Sequence, residues 1–289
     1  MNMQKWKERS RIQNELMRKL LCEFMATTFL IYVGLAVDAQ MVLSRAQLNS
    51  HPAHSVGWGL ALLFAVQMAL PVSGAHLNPA VSLCAWLFDD FPLVHFLLYS
   101  IVQISGAFVG AALTFLTYFD KIAEFDGGVR AVYGPKATAV VFATYPGEHL
   151  SILGAVIDQT CCTAMLCFII GIITDKHAQI PRVAQPAMMG LMLTAINMAF
   201  GLNAGNAANP ARDFGPRLFT LLAGYGWEVF SYNSFGWFWV PIVCPFFGAI
   251  VGTLAYQLLV SAQLGPTEEG KLLENSTNSS AEPSLAKAQ

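Results

Sequence analysis

Two asparagines open the same tripeptide, as Asn78-Pro79-Ala80 and Asn209-Pro210-Ala211. An amide side chain offers two N–H donors and an acceptor oxygen and carries no charge. The chemistry on offer is therefore hydrogen bonding to a neutral solute rather than covalent or acid–base catalysis. Arg212 follows the second tripeptide directly and adds several fixed donors and a permanent positive charge. Glu23 and Gln159 lie within apolar runs, with Asp158 beside the latter. No metal-ligand histidine pair appears in the apolar runs, and no Ser–His arrangement suggests a hydrolase. The cysteines Cys22, Cys84, Cys161, Cys162, Cys167 and Cys244 sit within or beside apolar runs and read as small packing residues, not a disulfide framework. No metal or other cofactor is expected.

The elements that position these residues belong in a bilayer. Of 289 residues, 55% are apolar and 12% are charged. Mean hydropathy is +0.51. A soluble domain carries about 25% charged residues, so this chain lacks the charge to coat a solvated globule. That argues against a cytosolic enzyme and a disordered scaffold. A formal net charge of −2 provides no footprint for nucleic acid. Apolar segments run over Leu20–Val37, Val56–Leu70, Val94–Tyr118, Leu150–Ile173, Val183–Phe200 and Trp237–Val260, giving six expected transmembrane helices. Residues 1–19 carry Lys5, Lys7, Arg9, Arg11, Arg18 and Lys19 with no cleavage-site pattern, so they read as a cytoplasmic basic N-terminus rather than a signal peptide. Six crossings return the C-terminus to the cytoplasm. Residues 20–260 form the membrane domain, and residues 261–289 a polar cytoplasmic tail expected to be disordered. The glycosylation acceptor patterns at Asn275 and Asn278 fall in that tail and should stay bare. The loops expected outside, Asp38–Ser55 and Phe119–His149, contain none.

The chain repeats itself in opposite orientation. Besides the tripeptides, Glu23 with Thr27 matches Gln159 with Thr163, and Gly106–Ala111 matches Cys244–Ala249, with Gly110 set against Gly248. Each half, about 20–118 and 150–260, holds three helices with one Asn-Pro-Ala between its second and third. Three is odd, so the halves are inverted about an axis in the membrane plane. Val81–Phe88 and Pro210–Leu222 are apolar but too short to cross. Proline suits the first helical turn and asparagine suits the N-cap, so each tripeptide starts a half-helix. The expected fold is an all-α membrane protein of six spans plus two half-helices meeting at the tripeptides. Ser73-Gly74-Ala75-His76 and Asn203-Ala204-Gly205-Asn206 are the non-helical approaches, whose carbonyls can line a pore. Helix N-termini carry about half a positive charge each, so two facing the pore centre oppose protons and cations.

These residues resemble the major intrinsic protein family, and within it the aquaglyceroporins. Ser73–Ala80 is similar to the family's first signature, and Asn209–Arg217 to its second. Asp213 after the arginine, Pro241-Ile242 in the last helix, and the long loop Phe119–His149 resemble the glycerol branch. The resemblance implies a passive channel for water, glycerol and other small neutral solutes such as urea and larger polyols. It also implies a homotetramer in the plasma membrane of an animal cell. By the same resemblance the selectivity filter falls on Trp58, Asn197, Asn206 and Arg212, with Gly74, Ala75, His76, Glu23, Gln159 and Asp213 lining or supporting the pore. Asn197 stands where glycerol channels usually have a small residue, and Asn206 where they often have an aromatic. Either the two amides narrow the filter, or Asn206 leaves an open side; loss of a ring favours the open side.

Bland readings stand beside these. Arg212 could pair with Asp213, and Trp58 could be an interfacial residue. His76 reads as a hydrogen-bonded structural histidine more readily than as a pH gate. Glu23 and Gln159 read as braces for the loop backbone, and Asp158 faces either an aqueous vestibule or a neighbouring subunit. Gly106, Gly110 and Gly248 read as close helix contacts. The rival function is a secondary transporter with the same inverted repeat. It needs convergent intramembrane carboxylates, for which only Glu23 and Asp158 are candidates. An intramembrane enzyme lacks a constellation, and a receptor has no use for two broken helices.

Overall fold

The computed structural model describes residues 3–265, and among them every regular element is helical. In chain order they are α1 (Met3–Ser10), α2 (Glu15–Leu43), α3 (His51–Ala69), α4 (Pro79–Phe88), α5 (Leu93–Thr117) and α6 (Phe119–Asp126). There follow α7 (Ile152–Thr174), α8 (Gln185–Ala204), α9 (Pro210–Thr220), α10 (Glu228–Ser231) and α11 (Val240–Leu259). The long helices α2, α5, α7, α8 and α11 are apolar enough to cross a bilayer. At 19 residues α3 has the length, but His51, Pro52, His54 and Ser55 at its start lower its hydropathy. Short α4 and α9 are the half-helices. Asn275 and Asn278, with the tail beyond residue 265, lie outside the described residues.

Capping residues set several starts. Asn14 accepts from the Met17 amide at the head of α2, and Ser151 from the Gly154 amide at the head of α7. Helix α2 runs past the expected end at Val37 to Leu43, which places Asp38 inside the helix instead of in an external loop. The expected loop Phe119–His149 holds α6 and then folds back, burying Val141, Phe142 and Ala143.

Packing repeats between halves. Helix α2 lies along α5 as α7 lies along α11, and α3 crosses α8 between them. A Cβ at Gly106 or Gly110 would collide with the carbonyl oxygens of Phe24 or Thr28 on α2. A Cβ at Gly248 or Gly252 would meet those of Thr160 or Ala164 on α7. The contacts therefore equate Gly106 with Gly248 and Gly110 with Gly252, one helical turn away from the match read in the sequence. The backbone contact, not the local string of residues, defines the equivalence. Side chains at these positions would force the helices apart.

Candidate functional site

The helical path breaks after α3 and after α8, and the two breaks share one backbone. Gly74, Ala75 and Leu77 have φ of +92°, +59° and +54°; Gly205, Asn206 and Ala208 have +71°, +35° and +47°. A non-glycine residue in this left-handed region costs about 1–2 kcal/mol, so something must hold each loop. Glu23, fully buried on α2, holds the first. Its Oε1 accepts from Ser73 Oγ (2.6 Å) and the His76 amide (3.0 Å), and its Oε2 from the Leu77 amide (2.7 Å) and Gln103 Nε2 (2.9 Å). Gln159 holds the second. Its Oε1 accepts from the Ala207 amide (2.8 Å), while its Nε2 donates to Asp158 (2.9 Å). Asp158 also accepts from Asn203 Nδ2 at 2.7 Å, so each of its oxygens has a partner inside the protein. Glu23 and Gln159 support the loops without lining the cavity.

Each loop ends on its asparagine. Asn78 (φ −154°, ψ 120°) and Asn209 (φ −153°, ψ 111°) are N-caps in matching conformations, with proline following at the first helical position. Asn78 Oδ1 accepts from the Ala80 amide at 2.9 Å, and Asn209 Oδ1 from the Ala211 amide at 2.9 Å. Their amide nitrogens cross. Asn78 Nδ2 donates to the Ala208 carbonyl and Asn209 Nδ2 to the Leu77 carbonyl, both at 2.9 Å. The N-termini of α4 and α9 are thereby tied together, one N–H of each amide remaining free.

A continuous cavity of about 950 Å³ passes this junction. One mouth is bordered by His51 and His54, the other by Asp89, Asp175 and Ser261. Of the residues expected at a pore, Trp58, Gly74, Ala75, His76, Asn78, Asn197, Asn206, Asn209 and Arg212 border this cavity. Pro79, Ala80, Pro210, Ala211 and Asp213 do not; they are buried in the half-helices behind the wall. The carbonyls of Gly74, Ala75, His76, Gly205, Asn206 and Ala207 have no intramolecular donor among the described residues. Those of Ser73 and Asn203, expected in the same ladder, are taken by Tyr99 Oη and the Gly147 amide. Trp58, Leu62 and Val66 on α3 and Leu70 at its C-cap repeat every four residues as an apolar stripe on the same cavity. Carbonyls and amides on the loops beside an apolar helix face make the passage amphipathic. His76 Nδ1 lies 3.1 Å from Ser82 Oγ, and its ring packs tilted against Phe91 and Tyr99.

At the His54 mouth the cavity wall is charged and aromatic. The Arg212 guanidinium lies over the Trp58 ring, 4.7 Å from its centroid. It donates through Nη1 to the Phe142 carbonyl and through Nη2 to Asp38 Oδ2, both at 3.1 Å. Arg212 therefore does not pair with Asp213. Asp213 is bound by Arg217 Nε at 2.7 Å and by the Thr144 amide at 2.8 Å, which fixes the segment presenting Phe142. Asn206 Nδ2 donates to Asn197 Oδ1 at 2.5 Å. The four residues expected at one level thus form two pairs on a shared cavity. At the other mouth, burial pushes the Asp175 carboxyl up. Hydrogen bonds from the His177 amide, Tyr256 Oη, the His177 ring and Ser261 Oγ outweigh it and hold the group well below the ordinary carboxylate range.

Several partners went unread in the sequence. Gln103 and Tyr99 on α5 reach the first loop from far along the chain. Gly34 makes room for the Trp58 ring, against which a Cβ there would collide. Asp38 was masked by its place near the end of an apolar run; its intramembrane charge is the signal that marks it.

A family model described as major intrinsic protein matches residues 10–256. The chain is 41% identical to aquaporin-9 of Homo sapiens over 256 residues, covering 88% of this chain and 86% of that one. It is 39% identical to aquaporin-10 of Homo sapiens over 252 residues, covering 87% and 83%. Among solved structures, the aquaglyceroporin from Plasmodium falciparum superposes with a TM-score of 0.76 at 28% identity, covering 86% of this chain and 98% of that chain.

Proposed function

The chain belongs to the major intrinsic protein family, and from that premise we propose how its pore sorts solutes. It is a multi-pass membrane protein and a passive channel for water and glycerol, not an enzyme. The observation that carries the reading is the pair of crossed amide bonds, Asn78 to Ala208 and Asn209 to Leu77, which ties two half-helix N-termini at mid-cavity. The free N–H of each asparagine donates to a passing oxygen. An oxygen holding both donors must point its own hydrogens outward, so a proton relay is interrupted there. The two positive helix ends oppose cations at the same point. Glycerol lays its carbons on the α3 stripe and its hydroxyls on the loop carbonyls.

Trp58, Arg212, Asn197 and Asn206 form the selectivity filter. The Asn206–Asn197 bond turns the two amides toward each other, and neither side chain has the bulk of a ring. The filter therefore stays open enough for urea or at least one polyol larger than glycerol. The assembly is a homotetramer in the plasma membrane with both termini cytoplasmic, so the His54 mouth faces outward and the Asp175 mouth inward. The transporter reading has no support, because each carboxylate oxygen of Glu23 and Asp158 already accepts an internal donor and neither residue lines the cavity.

Proteoliposomes test the reading by stopped-flow light scattering with water, glycerol, urea and a longer polyol. Fluxes should rise in proportion to protein and not saturate or depend on an ion gradient. A pH-sensitive dye under an imposed voltage should report no proton flux above the lipid leak. Dose-dependent proton flux would overturn the central-barrier account.

A further inference from the structure

The charge on the proposed filter arginine has a dedicated partner. Asp38 on α2 is buried, and its carboxylate gathers three groups that all border the cavity. Oδ1 accepts from Trp58 Nε1 at 2.8 Å and lies 2.6 Å from His54 Nε2. Oδ2 accepts from Arg212 Nη2 at 3.1 Å. The guanidinium is stacked on the same Trp58 ring whose N–H Asp38 holds. One carboxylate therefore orients both the cation and the aromatic. It also takes up the indole N–H, which would otherwise be free for solute.

We propose that Asp38 is a specificity-determining residue, the counter-ion that cancels the charge of Arg212 and fixes the Arg212–Trp58 pair. The proposal rests on the reading of Arg212 as a filter residue. Its physical content is that selection at this level works through donor geometry rather than net charge. A buried cation without a partner is costly, and so is a buried anion; each of the two charges is tolerated here because of the other. Exclusion of cations then falls to the half-helix N-termini, with Arg212 serving mainly to keep Asp38 from being a bare anion in the pore.

The test uses the full chain in proteoliposomes as wild type, Asp38→Asn, Arg212→Val and the double variant. Glycerol and urea fluxes are read by light scattering and sodium entry by an indicator dye. Asp38→Asn should shift the glycerol-to-urea flux ratio at least threefold. In the Arg212→Val background, the same change should shift the ratio less than twofold, since Asp38 acts through Arg212. Arg212→Val should admit sodium at least tenfold faster than the double variant, because it takes the guanidinium from Asp38 Oδ2 and leaves only the His54 ring and the Trp58 N–H on the other oxygen. Equal sodium entry in those two variants, or a shift from Asp38→Asn of the same size in both backgrounds, overturns the proposal. If Asp38→Asn alone does not assemble, the comparison of Arg212→Val with the double variant still decides it. Should Arg212→Val leave the glycerol-to-urea ratio at its wild-type value, the filter role of Arg212 itself fails, a result separate from a silent Asp38.

Discussion

Replacing Glu23 tests whether the loop before Asn78 is braced or merely packed. Four donors converge on its carboxylate, two of them backbone amides next to Asn78. In Glu23→Ala, Ser73 Oγ can turn to the Ala69 carbonyl, which lies 3.3 Å away. The His76 and Leu77 amides and Gln103 Nε2 would lose a partner. A buried donor left unsatisfied costs about 1–3 kcal/mol, so three give about 3–9 kcal/mol, comparable to the whole stability of a typical domain, about 5–15 kcal/mol. Glu23→Ala should therefore fail to assemble. Glu23→Gln is milder. With its oxygen at the Oε2 position, glutamine still accepts from Leu77 and Gln103, and Ser73 can reverse its hydroxyl. Only the His76 amide is stranded, at a cost of about 1–3 kcal/mol. At about 2–4 °C per kcal/mol, the thermal midpoint of purified protein should fall by about 2–12 °C with glycerol flux retained. Gln159 in the other half already shows that an amide can do this work, given Asp158 beside it. A Glu23→Ala protein that assembles with wild-type midpoint and flux would refute the brace.

Other outcomes follow from the same contacts. Asn206→Tyr restores a ring to the proposed filter and should cut flux of a longer polyol more than that of glycerol, read by light scattering; equal loss for every solute would remove Asn206 from the filter. Asp213→Ala leaves the Arg217 guanidinium, fully buried, without its anion. It should cost about 3–5 kcal/mol, seen as loss of the folded protein on size exclusion. Gly248→Val places a side chain against the Thr160 carbonyl and should separate α7 from α11, lowering yield and thermal midpoint. Asp175→Asn should lower the midpoint at neutral pH. Because the folded carboxyl is held below its unfolded value of about 3.9, that stabilisation is present above this pH and fades as pH falls through the folded value. The gap between wild type and Asp175→Asn should thus close on acidification below about pH 4.

Much of the site was legible because it is local or repeated. An Asn-Pro-Ala start needs only the N-cap preference of asparagine and the fixed φ of proline, both properties of adjacent residues. The duplication then implied inversion by counting helices. Glu23 and Gln159 stood out because a polar group in an apolar run must find partners. The partners themselves were not legible: nothing in the spacing of Gln103, Tyr99 or Asn203 says which loop they reach.

Composition, hydropathy and the doubled tripeptide determined by themselves that this is a membrane channel of two inverted halves, since these depend on solvent preference and short-range backbone geometry. The tertiary structure alone decided which charges meet. Arg212 chose Asp38, distant in sequence, over the adjacent Asp213, because α9 turns successive side chains to different faces and sends Asp213 toward Arg217. It likewise moved the helix equivalence by one turn, to Gly106 with Gly248, because close approach is judged against a neighbouring backbone that no single stretch of sequence contains.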